Sequence, residues 1–372
     1  MAVLSLTNEF GEEKFGGAGS SVTGMLHMLD RHGVRQTVVV PRTNLESPTQ
    51  ICTGRLTVLN LPRKGPCFGD LGLINVQVAI RDFPDLKRHW DMIHIHAINF
   101  APLAYALAEG RIPILYSVYS FLRQELSNSS EPELQAQFAV QDELIDRCQK
   151  IHLISQSEKQ YFAGSYPLRL DKTEVVPVGI SLPLGSWQKG RSNRFLYVGR
   201  LLDYKGIEDL IKAVFYVKQT GRQIYLDIVG SGDPAYEARL KLLVQSMRLS
   251  SQVRFFGWIS GSEVLQLMER AAALVVPSHR ESFGLVALEG MAIGVPLIAS
   301  KAGGLAELVD SSCALTFEPG SIQALSSRLS MAVDNPSILP GLARRARERA
   351  LAFDWKRLAP RYLQLYQQVI GC

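Results

Sequence analysis

The chain holds 372 residues, room for two domains of about 150–200 residues each. At 47% hydrophobic and 20% charged it has the make-up of a globular enzyme, and no apolar run approaches the roughly 18–20 residues of a membrane span. The net charge of +5 is unevenly placed: residues 1–182 carry 17 basic against 19 acidic side chains, a net of −2, and residues 183–372 carry 23 against 16, a net of +7. The basic half suits an anionic ligand, while the lack of a basic stripe interleaved with aromatics argues against nucleic acid. Five cysteines (Cys52, Cys67, Cys148, Cys313, Cys372) are odd in number and widely spaced, which suits reduced thiols and neither a disulfide frame nor a zinc site. The apolar run at 3–6 is too short for a signal-peptide core and is followed by Glu9, Glu12 and Glu13, so a cytoplasmic protein is expected.

Residues 3–6 read as a short strand. The loop after it ends in Gly16-Gly17-Ala18-Gly19, and Val22, Met25, Leu26 and Leu29 predict a helix over 20–31. Glycines between a strand and a helix let a ligand approach the backbone, though they serve equally as a plain turn. Their spacing is not G-x-G-x-x-G, so no NAD site is inferred. Strands follow at 37–40 and 56–61, a helix within 73–83, and a strand at Met92–Ile95. His94 and His96 alternate and therefore face one side of that strand. No further metal ligands lie nearby, and packed core positions would suit both; His96, at the strand's C-terminal end, is the better candidate for a ligand contact. A strand over 112–118 runs into Tyr119. A helix at 133–149, a strand at 151–154, a helix from 155 capped by Ser155 or Ser157, and a strand at 174–176 complete the first half. Residues 181–192, broken by Pro183, Gly185 and Gly190, are the expected linker.

The second half opens with a strand at 195–198 and then Gly199-Arg200-Leu201-Leu202-Asp203-Tyr204-Lys205-Gly206, with a helix over 207–218. Two cations on a strand-to-helix loop are what a diphosphate needs. Strands at 223–229 and 254–257 end in glycines, Gly230 and Gly257, and a helix spans 263–270. Then comes PSHRESFGLVALEGMAIGVPLIAS, residues 277–300, flanked by the apolar strand Ala273–Val276 and closed by another at 295–299. Between them Leu285–Ile293 has helical spacing, giving the strand–loop–helix–strand order of a parallel sheet. Glu281 in the loop and Glu289 in the helix lie roughly 10–12 Å apart along the element. The helix start offers unpaired N–H groups, and a nucleotide sugar, with hexose, diphosphate and ribose in line, fits that spacing. A strand at 313–317, helices at 322–333 and 340–351, and an amphipathic helix from about 353 end the chain.

Glu281 and Glu289 with Ser282, Phe283 and Gly284, together with the G-R-x4-K-G run, resemble the E-x7-E element and diphosphate clamp of glycosyltransferase family 4, retaining enzymes of the GT-B fold. The match is close over 195–372 and loose over 1–182. It implies an α/β chain of two doubly wound Rossmann-like domains facing across a cleft. Residues 1–182, with a crossover helix at 354–372, would bind the acceptor, and 183–353 the nucleotide sugar. It further implies transfer of a hexosyl group, glucose or N-acetylglucosamine, from a UDP-sugar to a small soluble acceptor such as a sugar, sugar phosphate or aminocyclitol. Arg200 and Lys205 would neutralise the leaving diphosphate, Glu281 would hold the hexose, and Glu289 the ribose. Phe283, Gly284, Gly17, Gly230 and Gly257 would line the donor site, with His96 and Tyr119 binding the acceptor and Tyr119 standing beside Arg200, Lys205 and Glu281 among the catalytic candidates. No Asp-x-Asp triplet occurs, so no metal ion and no cofactor are expected. Relatives commonly place a His where this chain has Tyr119. The same architecture also serves nucleotide-sugar 2-epimerases, phosphorylases and non-catalytic partner subunits.

Overall fold

The computed structural model describes residues 1–11, 17–63, 72–125, 132–182, 185–188 and 193–371. It divides into two compact units, residues 1–179 with 355–372, and residues 180–354. Gly16, Cys67, Cys372 and much of the expected linker lie outside the described residues.

The first unit is built on β1 (Ala2–Leu6), β2 (Arg35–Arg42), β3 (Thr49–Thr53), β4 (Leu56–Pro62), β5 (Met92–Ile95), β6 (Ile114–Val118), β7 (Lys150–Leu153) and β8 (Thr173–Val175). Their order is β3-β4-β2-β1-β5-β6-β7-β8, parallel except for the β3–β4 pair. The central strands are buried on both faces, as helices on either side of a parallel sheet require, so they read as continuous apolar runs. Strand β3 was not foreseen: its five residues are all exposed, and TQICT has no alternation to reveal it. The helix Gly17–Arg31 starts three residues earlier than its apolar spacing predicts, so Gly17 and Gly19 lie inside it and not in a loop. Its predicted face of Val22, Met25, Leu26 and Leu29 is fully buried. Ser155 caps Gln156–Ser165 by accepting from Glu158 N–H at 3.1 Å. The last helix, Trp355–Ile370, belongs to this unit and buries Trp355, Leu358, Tyr362, Leu365, Tyr366 and Val369. Gly24 and Gly179 leave room for Trp355, since a Cβ on either would overlap the indole.

The second unit holds β9 (Arg194–Val198), β10 (Tyr225–Val229), β11 (Val253–Gly257), β12 (Ala273–Val276), β13 (Leu297–Ser300) and β14 (Leu315–Phe317), all parallel. Their order is β11-β10-β9-β12-β13-β14, the doubly wound arrangement in which the winding reverses between the first and fourth strands. Ligands of such sheets lie beyond the strands' carboxyl ends at that reversal, here the ends of β9 and β12. The helix Ile207–Gln219 after β9 buries Ile207, Leu210, Ile211, Val214 and Val217, with Glu208 and Asp209 in its first turn and Lys218 in its last, a charge order matched to the helix dipole. The helix Leu285–Ile293 after β12 has the predicted bounds and is set between left-handed glycines, Gly284 (φ 97°) and Gly294 (φ 85°). The helix Pro234–Ser246 was missed, because in PAYEARLKLLVQS only Leu240 and Val244 are buried.

Candidate active site

Arg200 follows β9, and Ser278 to Glu281 follow β12, so the reversal of the winding brings the two predicted blocks together. Lys205 Nζ donates to Glu281 Oε2 at 2.8 Å, with the side chains 18% and 15% exposed. Ser278 Oγ donates to the same oxygen at 3.2 Å, while Ser300 Oγ donates to the Ser278 carbonyl at 2.6 Å. The Glu281 carbonyl accepts from Gly304 N–H at 2.8 Å. Two loops are thereby locked around one carboxylate. Gly206 (φ 71°) joins them from the other side, since a Cβ there would overlap the Pro277 carbonyl oxygen. Asp209 at the helix start accepts from His279 Nε2 at 2.7 Å.

Two tyrosines that sequence reasoning passed over hold Arg200. Tyr197 Oη donates to the Arg200 carbonyl at 2.8 Å, and Arg200 Nη2 donates to Tyr204 Oη at 3.2 Å. Burial, reinforced by the Glu281 charge, pushes the Tyr197 phenol well above its ordinary range, so it stays a donor. The signal was present in G-R-L-L-D-Y-K-G, where a tyrosine separates the two cations.

Phe283 is buried with its ring 5.7 Å from Phe353, edge to face, which fixes the turn into the helix that carries half-buried Glu289. Gly284 is buried against Leu305. Gly230 and Gly257 end neighbouring strands but differ in kind. Gly230 N–H is taken by the Gly257 carbonyl at 2.8 Å, and a Cβ on Gly230 would overlap the Gly199 carbonyl, so this glycine serves the packing of two loops. Gly257 (φ 68°) faces open space.

In the first unit His96 and Tyr119 do meet: His96 Nδ1 lies 3.0 Å from Tyr119 Oη. The His94 and His96 ring centroids lie 3.8 Å apart with the planes tilted by 41°, on the one side that alternation at the end of β5 gives them. His94 belongs to a buried relay whose directions one carbonyl fixes. His152 Nε2 must donate to the Val176 carbonyl (2.7 Å), so His152 Nδ1 accepts from Ser117 Oγ (2.7 Å). Ser117 Oγ then accepts from His94 Nε2 (2.7 Å), and His94 Nδ1 accepts from Tyr366 Oη (2.8 Å). Every imidazole is neutral there. Burial first, then the neighbouring His152, lowers His96 to about 3, and burial lowers His152 to about 4 and His94 well below its ordinary value. His96 Nε2 is buried with no hydrogen-bond partner among the described residues, which marks it as a hydrogen-bonding atom awaiting one. Gly17, exposed at the first turn of Gly17–Arg31, accepts from Ser21 Oγ through its carbonyl at 3.0 Å and meets none of these residues in a described hydrogen bond. Among the described residues no three His, Cys, Asp or Glu side chains gather at metal-binding spacing, and no helix is long and apolar enough to cross a membrane.

The family model described as Glycosyltransferase Family 4 matches residues 15–183, and that described as Glycosyl transferases group 1 matches 186–352. Glycogen synthase of Mycobacterium tuberculosis is 30% identical over 75% of this chain and 69% of its own length. D-inositol 3-phosphate glycosyltransferase of Kineococcus radiotolerans is 24% identical over 95% of this chain and 91% of its own. Among solved structures, sucrose-phosphate synthase from Thermosynechococcus elongatus superposes with a TM-score of 0.83 at 24% identity, covering 100% of this chain and 99% of that one. Anabaena HepE in complex with UDP and glucose superposes at 0.78 with 20% identity, covering 99% of this chain and 100% of that one. With two parallel α/β sheets, both models and these folds in agreement, the chain belongs to the family 4, group 1 glycosyltransferases of the two-domain GT-B fold.

Proposed function

We propose that this glycosyltransferase moves a hexosyl group from a UDP-sugar to a hydroxyl of a small soluble acceptor, without a metal ion and with retention at the anomeric carbon. The observation that carries the reading is the gathering of Arg200, Lys205 and Glu281 at the β9/β12 reversal, with Lys205 already held on Glu281 at 2.8 Å. Two cations there would neutralise the charge that grows on the diphosphate as the glycosidic bond breaks, in a site organised before the donor arrives. Glu281 would orient the hexose and Glu289 the ribose, with Phe283 and Gly284 fixing the helix start between them. Gly257, open to its surroundings, is the better place for the base to approach backbone. Residues 183–353 would thus bind the donor. Residues 1–182 with 354–372 would bind the acceptor, using His96 Nε2 and Tyr119 as hydrogen-bonding groups. The relatives' names support a sugar or sugar-phosphate acceptor: glycogen synthase, D-inositol 3-phosphate glycosyltransferase and sucrose-phosphate synthase; HepE was solved with UDP and glucose.

The test is release of free nucleoside diphosphate from a panel of nucleotide sugars, with EDTA present, with and without a pool of sugars, sugar phosphates and aminocyclitols. UDP release that an acceptor raises and EDTA leaves unchanged is the expected result. An epimerised donor without acceptor, or tight donor binding with no turnover in any pairing, would replace this reading by an epimerase or a binding subunit.

A further inference from the structure

Three cations surround one buried ring. Arg200 donates to Tyr204 Oη at 3.2 Å, Lys205 Nζ lies 5.4 Å from the Tyr204 ring centroid, and the Arg280 guanidinium lies 5.1 Å from it. Tyr204 itself is fixed: it is 8% exposed, and its carbonyl accepts from His279 N–H at 2.8 Å, which ties the loop after β9 to the loop after β12. An aromatic face attracts cations, and a phenol oxygen gives a guanidinium a direction. Lysine and arginine stems otherwise lose much rotamer freedom when a ligand immobilises them. A ring that holds both beforehand spares the donor that loss.

We propose that Tyr204 is a positioning residue that sets Arg200 and Lys205 as a preorganised pair for the second phosphate of the donor. The inference rests on the donor reading above and names what aligns its cations. Tyr204 touches no reacting atom; it acts through the two side chains it holds.

Binding of UDP, GDP and their monophosphates is measured by calorimetry on wild type, Tyr204→Phe and Tyr204→Leu, with KM and kcat for the donor wherever turnover is found. The diphosphate-to-monophosphate affinity ratio reads the second phosphate alone. It is expected to fall about threefold in Tyr204→Phe, which loses the anchor of Arg200, and about tenfold in Tyr204→Leu, which loses the ring as well. kcat should fall more than KM rises, because the aligned charge matters most as the leaving group departs. A purely structural role would lower the fraction of binding-competent protein and leave the ratio alone. A ratio within twofold of wild type in both variants, with wild type preferring the diphosphate, overturns the inference and leaves the donor reading standing. A wild type that binds neither diphosphate overturns both.

Discussion

Replacing Lys205 by alanine removes one of the two proposed phosphate cations and strips Glu281 of its ion partner. The two side chains meet at 2.8 Å and are 18% and 15% exposed, so water screens the pair only in part. Two effects then add. The diphosphate loses one charge-assisted hydrogen bond, about 1.5–3 kcal/mol. It also faces an uncompensated carboxylate; two unit charges about 5 Å apart at an effective dielectric near 20 repel by about 3 kcal/mol. The sum is about 4–6 kcal/mol, a loss on the order of 10³–10⁴ in kcat/KM. The double variant Lys205→Ala/Glu281→Gln separates the two. It removes the repulsion, so UDP affinity should recover by about tenfold or more over Lys205→Ala, while turnover stays low because neither the cation nor the hexose carboxylate returns. UDP affinity by calorimetry and kcat/KM by UDP release are the two readouts. If Lys205→Ala binds UDP within twofold of wild type, or if neutralising Glu281 brings no recovery, this ion pair is not the donor's phosphate site.

Gly206→Ala should destabilise the protein by about 2–4 kcal/mol in urea unfolding, since φ of 71° strains any L side chain and the new methyl would overlap the Pro277 carbonyl. Tyr366→Phe should cost about 1–2 kcal/mol by leaving His94 Nδ1 buried without its donor. The buried histidines set an acid limit. Because burial depresses their pKa values, the unfolded chain binds more protons than the folded one below about pH 6.5. Stability is therefore full above that pH and lost as pH falls toward 4, by about 1.4 kcal/mol per pH unit for each imidazole that stays neutral. His152→Gln should lower that slope by about one proton; an unchanged slope between pH 6 and 4.5 would show that His152 is not neutral in the fold.

The α/β alternation and the second unit were legible because buried parallel strands are short apolar runs between glycine-rich loops. Ala273–Val276 and Leu285–Ile293 have the bounds their residues predict. Elements without an apolar stripe were invisible: β3 is wholly exposed, and the helix Pro234–Ser246 buries two residues. Charged candidates could be named from spacing, but their partners could not. That Lys205 rests on Glu281 depends on the pairing of β9 with β12, strands about eighty residues apart, whereas Arg200 meets Tyr204 four residues on within its own loop. Gly230 shows the converse limit. A glycine after a strand reads as a ligand contact, yet here its N–H and its missing side chain are both used by neighbouring loops.

Tyr119, just past the end of β6, forms with His96 a hydrogen-bonded pair that stays neutral. Its phenol is driven above the ordinary range by burial, and its hydrogen-bond partner His96 is held down to about 3 by the same cause. Neither group changes charge near neutral pH. An imidazole with so low a pKa is a weak base, so His96 Nε2 can orient a hydroxyl but gains little by taking its proton. The proposed reaction then draws no proton acceptor from this pair, and the charges it uses are those of Arg200, Lys205, Glu281 and Glu289 in the second unit. In the proposed reaction the proton of the attacking hydroxyl would then pass to the departing phosphate oxygen, the strong acceptor that such a reaction creates. On the proposed reading that oxygen is also the group Arg200 and Lys205 would neutralise, so one arrangement would serve both leaving-group stabilisation and retention.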